Sequence, residues 1–329
     1  MVKDCTDIID VDMLEQEDIF RFYLGRFEDM NRYEFELLTY IEKNGEVTHE
    51  MHTLSDTLKI SGNTIKNCLE TLTAEGLISE ADKILKITDK GLEALEPYRV
   101  TKAVVMAAGF GSRMMPATSD RPKPLVTVNG VRILDTLLDA LVGVGITDIT
   151  VVRGYKKEKF DDLLTKYPFL KLVDNDIYDQ TNNISSAMAV LDSIDTCYLC
   201  EADLYITNPE IITKYQYASN ILGSYSLETD DWSFQLDNEG HIINYQKGNK
   251  YCWNYYGISF WTKEDSAKMR SDFKQVYEEE EGGRDYFWEF IPLVLRKEKY
   301  AVEIRQCNKS DIMEIDNYYE LAELDPSYR

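Results

Sequence analysis

The sequence predicts an α/β protein with a mixed, mainly parallel β-sheet and helices on both faces, preceded by a small helical domain. From Thr101 onward, short apolar runs typical of buried strands alternate with helical patterns, and such alternation requires a parallel sheet with right-handed crossovers. Before Pro97, the apolar residues instead recur with helical spacing and are interrupted by two short strand-like runs. We therefore divide the 329 residues into an acidic segment 1–29, a domain 30–97 and a larger domain 101–329.

The charge of the chain excludes several classes of partner. The formal net charge is -23, with -11 in residues 1–100 and -12 in the remainder, so neither part has the basic excess of a nucleic-acid or anionic-membrane binder. No apolar run approaches the roughly 18 residues that span a bilayer. The acidic first residues lack the basic and apolar regions of a signal peptide, and we expect a cytoplasmic location.

The six cysteines are scattered, as expected for reduced thiols in the cytosol. Cys197 and Cys200 form a C-x-x-C pair, but no second ligand pair accompanies them. Because the pair lies in an apolar run that reads as a buried strand, packing is favoured over metal or redox chemistry.

The elements of residues 30–97 follow one another in a recognisable order. A helix from Tyr33 ends at Asn44-Gly45, short helices follow at 53–58 and 63–74, and strand-like runs near Ile78 and 85–87 precede a helix at 88–95. This order, with the text I-T-D-K-G-L-E-A-L, resembles a MarR-type winged helix. Such domains usually insert a helix into the DNA major groove, but here that helix carries Lys66 among acids. We favour a protein-contact or dimerisation role over DNA binding.

The larger domain begins with the buried strand T-K-A-V-V-M-A-A. A helix at 133–142, a strand at 149–152, a helix at 160–164 and a strand at 170–173 follow. A helix at 185–191 and a strand at 196–199 complete the alternating pattern.

A glycine-rich turn follows the first strand of the larger domain: M-A-A-G-F-G-S-R, with K-P-L downstream. Gly109 and Gly111 let the backbone approach a phosphate, while Arg113 and Lys123 supply positive charge. It is neither a Walker loop, because no G-K-[ST] follows, nor a dinucleotide fingerprint, because Met114 replaces the third glycine. The turn therefore indicates a phosphate site.

Two acidic motifs occupy positions suited to a metal. Glu201-Ala202-Asp203 ends a strand, at the sheet edge where open α/β sheets bind ligands, and Glu314-Ile315-Asp316 follows an apolar run near the C-terminus. Carboxylates are the ligands that hard divalent cations prefer, but taken alone either motif is more typical of surface acids.

The glycine-rich text resembles the signature of the nucleoside-triphosphate transferase superfamily, and the resemblance extends over residues 101–325. It implies a Rossmann-like nucleotidyltransferase fold, Mg²⁺ on Asp203 and Asp316, and catalytic roles for Arg113 and Lys123. The nucleotide-binding set that it implies is Ala107, Ala108, Gly109, Gly111, Ser112, Arg113, Lys123, Asn182, Asn183 and Ser186.

Smaller texts resemble the bacterial choline-phosphate cytidylyltransferases: N-N-I-x-S from Asn182, D-W-x-F from Asp231, Y-G-I-S-F-W from Tyr256 and Y-F-W-E from Tyr286. This resemblance implies CTP and phosphocholine as substrates, since aromatic rings suit a trimethylammonium group that cannot donate hydrogen bonds. The substrate-binding set that it implies is Trp232, Tyr256, Phe287, Trp288 and Glu314. Phe287 replaces a tyrosine of the family.

Three alternatives remain open. A 2-aminoethylphosphonate or phosphoethanolamine cytidylyltransferase would use the same loop, with carboxylates for a primary ammonium: Glu228, Asp230, Asp231 and Glu289. A sugar-1-phosphate nucleotidyltransferase is disfavoured by the aromatic-rich texts. A non-catalytic nucleotide or choline sensor is disfavoured by the intact loop and acidic motifs.

Overall fold

The computed structural model describes residues 30–329, so the expected acidic segment 1–29 lies outside the described residues. The chain divides into two compact units at Tyr98 and Arg99, close to the predicted boundary. No helix within 30–329 is long and apolar enough to cross a membrane.

Within residues 30–98, the described part of the N-terminal unit, there are four α-helices and a small antiparallel sheet. Its elements are α1 (Arg32–Asn44), β1 (Val47–Thr48), α2 (Met51–Leu58), α3 (Gly62–Ala74), β2 (Ile78–Ala81), β3 (Ile84–Ile87) and α4 (Asp89–Leu95). The strands pair in the order β1-β3-β2. These elements confirm the helices and strand runs expected from the sequence, while membership of the winged-helix class stays a prediction.

Local signals in the sequence set the helix starts of this unit. Asn31 caps α1 through a capping box with Glu34, and the Ser61 hydroxyl accepts a hydrogen bond from the Thr64 amide at the start of α3. Thr88 caps α4 in the same way. The helices bury their apolar faces, including Leu38 and Leu72, and so form the core of the unit.

The second unit is built on a seven-stranded sheet of order β13-β11-β12-β9-β4-β7-β8. Its sheet strands are β4 (Lys102–Ala107), β7 (Asp148–Arg153), β8 (Lys171–Asp174), β9 (Cys197–Glu201), β11 (Asn220–Leu236), β12 (Ile242–Trp261) and β13 (Glu303–Gln306). Strand β12 runs antiparallel to both β9 and β11, and the other neighbours are parallel. The expected mixed, mainly parallel sheet is confirmed.

Helices cover both faces of this sheet. They are α5 (Ile133–Gly143), α6 (Leu163–Lys166), α7 (Ile184–Ala189), α8 (Lys263–Glu279), a π-helical turn (Ile291–Leu295) and α9 (Tyr318–Leu324). One core contains residues of α5, and the other contains residues of α7 and α8. Consecutive residues of β4 enter the two cores alternately, as a strand covered on both faces requires.

Four short strands complete the unit: β5 (Thr127–Val128), β6 (Val131–Arg132), β10 (Leu204–Ile206) and β14 (Ile312–Glu314). Strands β5 and β6 pair with each other, and β10 pairs antiparallel with β14, with Leu204 opposite Glu314. The pairing of β10 with β14 brings the residues that follow β9 next to the C-terminal part of the chain.

The C-x-x-C pair serves packing. Cys197 lies in the core that contains α8, and Cys200 lies in the core that contains α5, because residues three apart on a strand face opposite ways. The two thiols therefore cannot share a metal. Burial raises the pKa of Cys197 to about 12, which keeps its thiol protonated and unreactive.

Candidate active site

A cavity of about 860 Å³ opens at the carboxyl ends of β4 and β9. The loops that follow these strands lie at this edge of the sheet, which is where open α/β sheets bind ligands. Most of the residues predicted for the site line it: Ala107, Ala108, Gly109, Gly111, Ser112, Arg113, Lys123, Asn182, Asn183, Ser186, Asp203, Trp232, Phe287, Glu314 and Asp316.

The two glycines of the loop after β4 are needed for different reasons. Gly111 has φ of 61°, and a Cβ there would lie 2.6 Å from the Lys123 Cβ, so the residue must be small and left-handed. Gly109 has open space where its Cβ would be. The backbone at Gly109 therefore stays accessible to a ligand, as a phosphate-binding loop requires.

Three carboxylates from distant parts of the chain meet beside this loop. Asp203, Glu314 and Asp316 bring one oxygen each within 4.8 Å of one another. The pairing of β10 with β14 causes this approach, because Leu204 lies opposite Glu314 and the two aspartates flank that pair. Such an all-oxygen cluster could hold a divalent cation, and the buried Oδ1 of Asp203 has no hydrogen-bond partner among residues 30–329.

Two basic side chains neutralise this cluster. The buried Lys123 Nζ donates to Asp203 Oδ2 at 2.9 Å and to Asp316 Oδ1 at 3.3 Å. Arg113 donates to both oxygens of Asp316, at 2.9 and 3.0 Å. Burial alone would lower the pKa of Lys123, but the carboxylates of Asp203 and Asp316 outweigh it and raise the pKa, so the lysine stays charged.

Glu314 differs from the two aspartates in its charge. Burial and the neighbouring carboxylates of Asp203 and Asp316 raise its pKa to about 8. A group of this kind is neutral near pH 7 until a cation arrives, and it can then ionise to become a ligand.

A second group of acids, Glu201 and Glu289, also lines the cavity. Burial, with the Glu289 carboxylate as the next cause, raises the pKa of Glu201 well above its ordinary value, and burial raises that of Glu289 to about 7. The Tyr255 hydroxyl donates to Glu201 at 3.5 Å, and Asn183 Nδ2 donates to Glu289 at 3.4 Å. Within residues 30–329 neither glutamate has an ion-pair partner, so a cation bound in the cavity would meet two carboxylates.

Aromatic rings form the wall around these acids. Trp232 stacks on Tyr245 with ring centroids 4.8 Å apart, and Phe287 meets the edge of Trp232 at 6.1 Å. Tyr255 lines the same region. The wall therefore combines flat apolar faces with the buried carboxylates.

Two residues expected in this wall lie elsewhere. Tyr256 follows Tyr255 on β12 and faces the opposite side of the sheet, where its hydroxyl pairs with Ser224 Oγ at 3.1 Å. Trp288 is only 1% exposed and packs edge-on against Trp261 in the core. These placements correct the expected aromatic cage, which loses both residues.

Three residues of the expected nucleotide-binding set already have protein partners. Asn182 Nδ2 donates to the Asp285 carbonyl, Asn183 Oδ1 accepts from the Trp288 amide, and Ser186 Oγ accepts from Asn175 Nδ2. These bonds hold the segment 175–186 against its surroundings. Of the acids considered for a primary ammonium, Asp230, Asp231 and Glu289 line the cavity, whereas Glu228 lies outside the lining and pairs with Lys250.

Several lining residues were missed from the sequence: Phe110, Asn175, Tyr178, Glu201, Thr229, Tyr245 and Lys247. Glu201 had a signal, since it precedes Asp203 by two residues at the end of a strand. Tyr245 had none, because only the pairing of β11 with β12 brings it under Trp232.

Known proteins share this fold and these motifs. The family model described as nucleotidyl transferase matches residues 102–223. A 2-aminoethylphosphonate cytidylyltransferase of Lancefieldella rimae is 36% identical over 231 residues, which are 69% of this chain and 93% of that protein. A choline-phosphate cytidylyltransferase of Haemophilus influenzae is 30% identical over 216 residues, 65% of this chain and 92% of that protein.

A solved structure extends the likeness to three dimensions. The CTP:phosphocholine cytidylyltransferase of Streptococcus pneumoniae superposes with a TM-score of 0.65 at 28% identity, covering 70% of this chain and all of that one. With sequence, fold and cavity in agreement, the chain belongs to the nucleotidyl transferase family, and its relatives there include cytidylyltransferases.

Proposed function

We propose that the chain transfers a cytidylyl group from CTP to the phosphonate or phosphate of a small primary amine, with 2-aminoethylphosphonate as the first candidate. The relative with that activity shares 36% of its residues, against 30% for the choline-phosphate enzyme of H. influenzae. The observation that carries the proposal is the pair of cavity-lining glutamates, Glu201 and Glu289, neither of which forms an ion pair within residues 30–329.

The loop after β4 would bind the nucleotide. The accessible backbone at Gly109 would bind the triphosphate, and Lys123 would neutralise charge beside the α-phosphate. Arg113 has a side chain that is 68% exposed, so it can turn from Asp316 toward phosphate oxygens. Because the attacking phosphonate oxygen is already anionic at neutral pH, positioning and charge neutralisation suffice and no general base is needed.

The carboxylate cluster fits a magnesium ion. Asp203, Glu314 and Asp316 would hold it, and the orphaned Oδ1 of Asp203 is the kind of buried acceptor that a cation satisfies. When bound, Mg²⁺ supplies positive charge that offsets the repulsion between the two anionic substrates.

The amine end of the acceptor would be bound by Glu201, Glu289 and the aromatic rings around them. A primary ammonium donates three hydrogen bonds and needs acceptors when it leaves water. Glu201 and Glu289 supply such acceptors, while Tyr245 and Tyr255 donate to them and hold them in place. Binding of the ammonium would shift both glutamates to the ionised form.

Phosphocholine is the second candidate. The stacked Trp232 and Tyr245, with Phe287 at their edge, give flat faces over which a trimethylammonium group gains cation–π attraction. A quaternary group cannot use the hydrogen-bond acceptors of Glu201 and Glu289, and for this reason we place it second.

The test compares kcat/KM for 2-aminoethylphosphonate, phosphoethanolamine and phosphocholine with CTP, followed by pyrophosphate release. We expect both primary amines to exceed phosphocholine, and Glu289→Gln to lower kcat/KM for the amines by roughly 10- to 100-fold. The matched control is Glu228→Gln, at an exposed hairpin glutamate outside the cavity lining, which should leave all three values unchanged. A preference for phosphocholine that survives Glu289→Gln would contradict the assignment.

A further inference from the structure

Phe110 is the residue between the two glycines of the phosphate loop, and it is 46% exposed. It lines the cavity, and it contacts two other rings. The ring centroids lie 5.3 Å from Tyr155 and 5.1 Å from Tyr178. An aromatic ring that is open to a cavity and supported by other rings can stack on a planar ligand.

The two tyrosines are themselves firmly placed. The Tyr155 amide donates to the Ala108 carbonyl at 3.0 Å, and its hydroxyl donates to the Thr118 carbonyl. Tyr178 packs on Gly154, where a Cβ would lie 2.6 Å from the tyrosine Cγ. Tyr155 and Tyr178 are thus held at the end of β7 and against the loop. Their rings contact the Phe110 ring, part of which stays exposed to the cavity.

This aromatic group lies at the nucleotide end of the cavity. Tyr178 belongs to the segment 175–186, which faces the loop after β4 and lines the cavity with it. The amide and hydroxyl groups of Asn182, Asn183 and Ser186 in that segment are engaged with protein atoms. A base bound here would find these three side chains already engaged, while the exposed Phe110 ring offers it a flat apolar surface.

We propose that the Phe110 ring, steadied by Tyr155 and Tyr178, is a stacking surface for the pyrimidine base of the nucleotide. The proposal rests on the proposed use of CTP. Stacking on an aromatic ring is tolerant of base identity, so Phe110 contributes affinity and orientation rather than selection of cytosine. The phosphates bind separately, through the backbone at Gly109 and the side chains of Arg113 and Lys123.

The experiment measures dissociation constants of CTP and of inorganic tripolyphosphate by calorimetry, using the full chain. Phe110→Ala should raise the constant for CTP about tenfold, while the constant for tripolyphosphate, which has no base, stays unchanged. Phe110→Tyr keeps a ring and should restore CTP binding. Tyr319→Ala removes an 83% exposed ring on α9 outside the cavity lining and is the control.

The two ligands make the outcomes distinct. Equal losses for CTP and tripolyphosphate would mean that Phe110 only orders the loop, and unchanged CTP binding in Phe110→Ala would mean that it does not contact the base; either result overturns the proposal. If the wild-type chain binds CTP no more tightly than tripolyphosphate, the cytidine adds no affinity, and the proposed use of CTP fails instead.

Discussion

Replacing Lys123 with methionine should show how strongly the carboxylate cluster depends on its internal cation. The change keeps the length and packing of the side chain but leaves Asp203, Glu314 and Asp316 without their buried positive charge. Breaking a buried ion pair by removing one partner costs about 3–5 kcal/mol. Because the side chains of Asp203 and Asp316 are 28% and 22% exposed, water offsets part of this cost, and we expect a loss of about 3 kcal/mol.

Magnesium should reverse much of that loss. A ligand present at 100 times its dissociation constant stabilises the folded state by about 2.7 kcal/mol, nearly the amount that the substitution removes. In the wild-type chain the cation competes with the Lys123 ammonium, so its stabilising effect should be smaller. Turnover should stay low in either case, by roughly 100-fold or more, because the lysine charge beside the α-phosphate is lost.

The assay is urea denaturation followed by tryptophan fluorescence, with EDTA or with Mg²⁺. All four tryptophans lie in residues 99–329, so the signal reports on that unit alone. Lys171→Met is the matched control, since Lys171 pairs with Asp148 at 2.6 Å on the surface and its loss should cost under about 1 kcal/mol. Equal stability of Lys123→Met and wild type in EDTA, or a smaller Mg²⁺ effect in the variant, would refute the reasoning.

Four further predictions address other parts of the molecule. Asp203→Asn should lower turnover by roughly 100-fold or more at ordinary Mg²⁺, and full activity of the wild type in excess EDTA would argue against a metal. Trp288→Phe should cost roughly 2 kcal/mol of stability, measured in urea, while KM for the amine stays unchanged, because Trp288 packs in the core. Burial raises the pKa of Glu289 from 4.5 to about 7, so the folded state holds a proton that the unfolded state releases between these values, and stability falls as pH rises through that window. Glu289→Gln should flatten this fall in urea titrations at pH 5 and 7.5. With a net charge of -11 in residues 1–100, the chain should show no gel shift with duplex DNA at micromolar protein and physiological salt.

The parts of the site that follow buried strands could be predicted from the sequence. The loop from Gly109 to Arg113 directly follows an uninterrupted apolar run, and Asp203 directly follows another, so the carboxyl edge of the sheet collects both. The meeting of Asp203 with Asp316 came from family resemblance, since it depends on the pairing of β10 with β14 across more than a hundred residues.

The aromatic wall was harder to predict because its members other than Phe287 come from one long hairpin with irregular register. Near Trp232 and Phe234 the pairing of β11 with β12 shifts repeatedly, which breaks the simple alternation of side chains. Tyr255 and Tyr256 are adjacent, and one residue of register decides which of them reaches the cavity. Motif resemblance favoured Tyr256, while the actual register selects Tyr255.

The change of strand direction between β9 and β12 separates two tasks along the chain. Loops of the parallel half supply the nucleotide wall from residues 107 to 203 and also Glu201 of the amine wall, whereas the rest of the amine wall comes from the antiparallel hairpin and the segment around Glu289. The seam between them is a backbone ladder, with Ile258 opposite Cys200 and Trp261 opposite Cys197, and all four side chains are buried in the two cores. A graft that exchanges the hairpin to change the acceptor should therefore cut at this seam, retain these core residues and take account of Glu201, which stays on the nucleotide side.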